Sequence, residues 1–137
     1  MSIYVSGKRS PISNHTINPT FNHSINPTFN HNINPAFHHN INPAFNRGIN
    51  IVFNSNADVL LLYNRSNEAY ATAVQANESI LIIFDEQMQM IEYAVKNSTD
   101  GYIVFNKNNE WIKYYVYNHD NGYLIYTKEN EWIGHVH

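Results

Sequence analysis

Four histidines, His15, His23, His31 and His39, recur every eight residues near the start of the chain, and His38 stands beside the last of them. Imidazole ligates metals and changes charge with pH. A chelate needs converging donors, yet an extended chain carries residues eight apart to about 26 Å at ~3.3 Å per residue. Residues 10–57 contain neither Asp nor Glu to complete a metal site. The series therefore reads as structural or interfacial, with no metal and no cofactor assigned. In an interface it would respond to pH, because stacked imidazoles repel once protonated. The acids Asp85, Glu86, Glu92, Asp100, Glu110, Asp120 and Glu131 fall mainly in turn-like stretches. The sequence has no nucleophile elbow, phosphate loop or His-Glu metalloprotease motif. No catalytic residue is assigned, and a non-enzymatic protein is expected.

The histidines belong to a larger octapeptide repeat. Ile17-Asn18-Pro19-Thr20-Phe21 returns as Ile25-Asn26-Pro27-Thr28-Phe29, Ile33-Asn34-Pro35-Ala36-Phe37 and Ile41-Asn42-Pro43-Ala44-Phe45. Asn followed by Pro favours a turn: the amide bonds its own backbone two residues on, and Pro pre-sets φ at the second position. Proline at this period excludes a continuous helix and a central strand. Ile and Phe flank each turn, so Ile17, Phe21, Ile25, Phe29, Ile33, Phe37, Ile41 and Phe45 are expected to anchor in one apolar surface as an assembly interface. Asn18, Asn26, Asn34 and Asn42 open the turns or stack as an amide ladder. A solenoid with two octads per coil would have too few neighbours to bury a core. The segment is therefore expected to lie along its own domain or a neighbouring subunit. Ile49-Asn50 begins a fifth copy, where Ile51 replaces the proline. The arm is bounded at residues 1–48 and the remaining domain at 49–137.

The second region alternates short apolar runs with polar turns. Strands are expected at Ile49–Phe53, Asp58–Tyr63, Ala69–Gln75, Ser79–Phe84, Met88–Val95, Gly101–Phe105, Trp111–Tyr117, Gly122–Tyr126 and Glu131–Val136, with Ile3-Tyr4-Val5 as a further candidate near the start. Residues 85–95 also suit a short helix. Roughly eight to nine strands at such spacing predict an all-β fold, an antiparallel sandwich or barrel preceded by an ordered repeat arm.

A second repeat closes the chain. Gly101–Ile112 matches Gly122–Ile133 with a period of 21 residues, each copy a hairpin whose second strand opens on Trp-Ile. These two copies resemble, in period and in Gly and aromatic content, the hairpin repeats of some cell-wall-binding modules. Trp111, Trp132, Tyr102 and Tyr123, with Asp120 and Asn121 nearby, form a possible ligand platform, since rings stack on sugars and amides bond hydroxyls. The alternative is a sheet buried on both faces, since both alternating faces of Trp111–Tyr117 are largely apolar.

Composition narrows the partners. Formal net charge is −3 with no basic run, so a nucleic-acid partner is not expected. No apolar run reaches the roughly 18–20 residues of a membrane span. Cysteine is absent, and residues 1–9 lack an apolar leader core. A cytoplasmic location, or release by a non-classical route, is expected. The reading is a self-assembling structural protein, a fibre, coat or ordered-inclusion subunit forming a homo-oligomer or polymer. The alternative is an oligomeric, lectin-like carbohydrate-binding module that takes glycan on the aromatic C-terminal hairpins.

Overall fold

The computed structural model describes residues 9–54 and 57–137. The Ile3-Tyr4-Val5 candidate lies outside them. The C-terminal region is a closed barrel of eight antiparallel strands in sequential order. They are β1 (Val59–Asn64), β2 (Ala69–Gln75), β3 (Ile80–Phe84), β4 (Met90–Lys96), β5 (Tyr102–Asn106), β6 (Trp111–Tyr117), β7 (Tyr123–Thr127) and β8 (Trp132–Val136). Pairing of Leu62, Tyr63 and Asn64 with Val136, His135 and Gly134 closes the ring. That closure decides between the two architectures expected from sequence: the sheet wraps onto itself, and there is no sandwich. Residues 85–95 form a turn and the start of β4, not a helix.

The 21-residue period runs through all four hairpins. In each, the even-numbered strand carries one extra residue, Tyr70, Ile91, Ile112 or Ile133, where the register shifts against the preceding strand. Such bulges sharpen twist and help a sheet curl shut. The connecting turns also repeat. Asn64 Oδ1 accepts the backbone N–H groups of Ser66 and Glu68, Asp85 those of Gln87 and Gln89, and Asn106 those of Asn108 and Glu110. Asn67, Met88, Asn109 and Asn130 hold the left-handed position, at φ 62°, 61°, 64° and 72°.

Alternation along the strands builds two apolar layers. Leu62, Ala71, Ala73, Leu81, Ile83, Ala94, Tyr102, Val104, Tyr115, Ile125 and Val136 share a cluster that contains no arm residue, and they fill the lumen. The opposite set, including Val74, Ile82, Phe84, Tyr93, Val95, Phe105, Tyr114 and Tyr126, faces outward and is buried together with Ile25, Ile41 and Ile49 of the arm. The sheet is therefore apolar on both faces because the chain's own arm covers its outside.

The arm is a row of paired tight turns. In the first, Phe21 and Asn22 N–H both donate to Asn18 O, at 3.0 and 2.8 Å. In the second, His23–Ile25 forms a 3-10 turn capped by Asn22 Oδ1. The pattern continues through Arg47–Ile49 and the turn ending at Asn54, so Ile49–Phe53 is a fifth octad and not a strand. Ile51 is accepted because the second position of a type I turn tolerates most residues. Asparagine also ties the octads together. Asn26, Asn34, Asn42 and Asn50 Nδ2 donate to the carbonyls of Pro19, Pro27, Pro35 and Pro43, seven residues back, at 3.0–3.3 Å. Asn22, Asn30, Asn46 and Asn54 reach back six residues in the same way. Asn26, Asn34, Asn42 and Asn50 thus each close their own turn through Oδ1 and bond the preceding octad through Nδ2. Each octad contributes one such pair of turns, and the row lies along the chain's own barrel. His38 occupies an asparagine position and provides no side-chain cap.

The arm runs around the barrel against the strand order. It starts at the end of β6 and the β7–β8 turn, where Arg9 Nη2 donates to Tyr117 O at 2.6 Å and Ser10 Oγ donates to Asn130 Oδ1 at 2.7 Å. Its last octads lie beside Phe84, Met88 and Met90. Among the described residues no helix is long and apolar enough to cross a membrane.

Candidate functional site

Ile and Phe of the octad face opposite ways. Ile17, Ile25, Ile41 and Ile49 are buried and Ile33 is half-buried, in step with the buried prolines. Phe21, Phe29, Phe37, Phe45 and Phe53 are 60%, 61%, 62%, 65% and 59% exposed. The expectation that both types anchor in one surface is corrected here. Isoleucine fastens the arm to its own barrel, and phenylalanine looks outward.

The exposed rings are ordered by a second periodic partner. His15, His23, His31 and His39 stack on Phe21, Phe29, Phe37 and Phe45 with centroids 3.9–4.0 Å apart and planes within 12°. Each imidazole opens a 3-10 turn, and the ring six residues later returns beside it. In the fifth octad Arg47 replaces histidine, and its guanidinium lies 4.5 Å from the Phe53 centroid. A planar cationic group over a phenyl face is attractive in its own right. The arm therefore displays a row of four imidazole–phenyl stacks and a fifth, guanidinium–phenyl contact. Between them the polar groups are already used: Thr16 Oγ1 donates to Asn14 Oδ1 and Ser24 Oγ to Asn22 Oδ1, at 2.7 and 2.6 Å. Asn22 Nδ2 donates to Thr16 O at 2.7 Å. The face offers ring surface and imidazole edges and few free hydrogen-bonding groups. Among the described residues no three His, Cys, Asp or Glu side chains gather as metal ligands would.

The aromatic platform expected at the C-terminus is split by the fold. Trp111 and Trp132 lie half-buried on the outer face, and their Nε1 groups donate to Lys113 O and Gly134 O at 3.0 and 2.8 Å. Lys128 and Arg65 sit over these two indoles, at 4.9 and 5.5 Å. Tyr102 and Tyr123 belong to the lumen side and meet edge to face at 5.4 Å. Their strand register puts them at the far end from the tryptophans. Asp120 and Asn121 are exposed in the β6–β7 turn.

The lumen holds a charged pair that sequence reasoning missed. Glu92 Oε2 accepts from Lys113 Nζ at 2.8 Å. In the 21-residue register these positions match Ala71 and Gly134, so two small residues make room for two long ones. Glu92 Oε1 and the Tyr115 hydroxyl are buried with no hydrogen-bond partner among the described residues. Burial first, then the Glu92 charge, pushes the Tyr70 phenol up to about 12. Burial also raises Tyr93, Tyr102 and Tyr115 well above the usual phenol range, and lifts Tyr114 to about 12. An unfolded tyrosine ionises near pH 10. The unfolded chain therefore loses these protons first, and the folded state loses stability as pH rises from 10 through 12. Melting temperature should be nearly flat between pH 8 and 9.5 and fall steeply by pH 11. An unchanged midpoint at pH 11 would contradict this.

No protein-family model matches the chain, and neither a curated protein nor a solved structure shows significant similarity to it.

Proposed function

We propose that this chain is a non-enzymatic structural protein that self-associates through the Phe face of its repeat arm. The observation that supports this is the row of five exposed rings, four stacked on an imidazole and the fifth beneath a guanidinium. At roughly 200 Å² per aromatic side chain, five rings about 60% exposed offer on the order of 600 Å². A stable pair of proteins buries about 800 Å² on each side, and the stacked imidazoles supply the remainder. The face carries no acid, since residues 10–57 have none, so it does not match a basic partner. It does match itself, ring against ring. Equal spacing also lets two arms pair in staggered register, forgoing one stack and leaving an overhang for a third copy. Heterologous pairing of that kind grows open filaments.

Replacing Phe21, Phe29, Phe37 and Phe45 together with serine removes exposed groups only, so the variant should fold and melt within a few degrees of wild type. Light scattering and negative-stain images should show wild type as a large or filamentous species and the variant as a monomer. Equal masses for both would refute self-association through this face. The glycan-binding reading would then take precedence, tested on a glycan array, because exposed rings in a row also stack on sugars.

A further inference from the structure

We propose that the groove between the fifth octad and the β3–β4 turn binds an apolar organic anion, a carboxylate on a hydrocarbon body. Both repeats depart from their own pattern here. In the barrel, the left-handed turn position held by Asn67, Asn109 and Asn130 is taken by Met88 at φ 61°. Asparagine tolerates that conformation through local hydrogen bonds, whereas methionine has none to offer. Met88 nevertheless stands 51% exposed. Two residues on, Met90 replaces the tryptophan of the third and fourth hairpins. In the arm, Val52 stands where the other octads have Thr or Ala, and it is 55% exposed.

These departures face one another. Val52 and Phe53 form one wall and Phe84, Met88 and Met90 the other, around about 380 Å³. That lies within the range of small-molecule sites, roughly 300–1,000 Å³. A recess of about 150 Å³ beside Pro35, Ala36 and Tyr93 continues it. Methionine walls are flexible and polarizable and adapt to varied apolar shapes. Lys107 borders both spaces. The one ion pair among the described residues is Glu92–Lys113, so the Lys107 ammonium has no carboxylate. Of the acids in the adjoining turn, Asp85 is committed to the N–H groups of Gln87 and Gln89, and neither Asp85 nor Glu86 lines the groove. A trough with these apolar walls and a polar rim, where Asn42, Asn50, Gln89 and the unpaired Lys107 stand, selects an anionic head on an apolar tail.

The probe is octanoate, titrated calorimetrically into the full chain, with 1-octanol as its uncharged counterpart. Octanoate should bind saturably at one site per chain. Lys107→Gln, an exposed change, should weaken it about tenfold, the effect of one charge-assisted contact, and leave octanol unaffected. Met88→Asn restores the turn residue of the other hairpins and should raise the melting temperature while weakening octanoate. The four-Phe serine variant, which keeps Phe53, should bind octanoate as wild type does. Absence of saturable binding, or equal affinity of wild type and Lys107→Gln, would overturn the proposal. So would loss of binding in the four-Phe variant, which would put the ligand on the exposed stacks.

Discussion

Lys113→Met should destabilise the barrel by about 3 kcal/mol, measured by urea unfolding at neutral pH. The reason is what it leaves behind. Glu92 is buried in the lumen, its Oε1 has no partner among the described residues, and its Oε2 depends on Lys113 Nζ at 2.8 Å. Removing one member of a buried ion pair strands the other charge, typically at about 3–5 kcal/mol. The lower end applies because the Lys113 side chain retains 22% exposure, so water reaches it. The hydrocarbon of methionine fills much of the lysine's space, which separates the charge effect from a cavity effect. Replacing both residues, Glu92→Leu with Lys113→Met, should recover most of the loss, because desolvating the two charges offsets much of their attraction. A single variant within 0.5 kcal/mol of wild type, as ordinary surface changes are, would show that the pair contributes little and that Glu92 is better solvated than its burial suggests.

Local chemistry made the strands readable. Asn or Asp at the start of a turn, a left-handed residue within it, and alternating apolar runs placed all eight strands close to where they lie. Two runs, Ala69–Gln75 and Trp111–Tyr117, agree at both ends. Closure was not readable, because it depends on Leu62 meeting Val136, a contact between distant segments with no local signature. The 21-residue period was visible only in its last two copies. Gly101, Gly122, Trp111 and Trp132 mark those, whereas the first two hairpins carry Val59, Ile80, Ala69 and Met90 at the same places. Extending the register to all four would have set Glu92 and Lys113 beside Ala71 and Gly134 and exposed the lumen pair.

The arm was misjudged for a different reason. Hydrophobicity marks Ile and Phe alike as groups to bury, and each turn brings both close together. What separates them is which residues share a side of the coil. Proline and isoleucine lie on the barrel side, and histidine, six residues before each phenylalanine, lies on the other. A polar ring in strict step with an aromatic one was the available sign that the aromatic faces water. The fifth octad keeps that sign in altered form, as Arg47 over Phe53. The four-Phe variant tests self-association through that face, and a glycan array tests the alternative.

Gly134→Ala should destabilise the chain by about 3 kcal/mol or more, toward the upper end of what overpacking usually produces. A Cβ at Gly134 would lie 2.0 Å from Tyr63 O and 3.1 Å from Tyr63 C, both backbone atoms that no rotamer change can move. The contact falls on the β1–β8 seam, which pairs Leu62, Tyr63 and Asn64 with Val136, His135 and Gly134 and adds two hydrogen bonds between Leu61 and His137. Relief requires β1 to move away from β8, breaking the closure that makes the sheet a barrel. The matching positions Ala71, Glu92 and Lys113 carry side chains freely, so the restriction arises from the seam and not from the repeat. Gly48→Ala is the control. It sits in the exposed 3-10 turn of the fifth octad, where other copies have Thr16, Ser24, Asn32 and Asn40, and its nearest neighbour is the Asn46 side chain at 3.2 Å. Alanine there should be neutral, or stabilising by about 0.5 kcal/mol through a less flexible unfolded chain. Thermal unfolding of the two variants side by side checks the argument. Equal midpoints would mean that the seam yields easily, and that barrel closure contributes little to the stability of the fold.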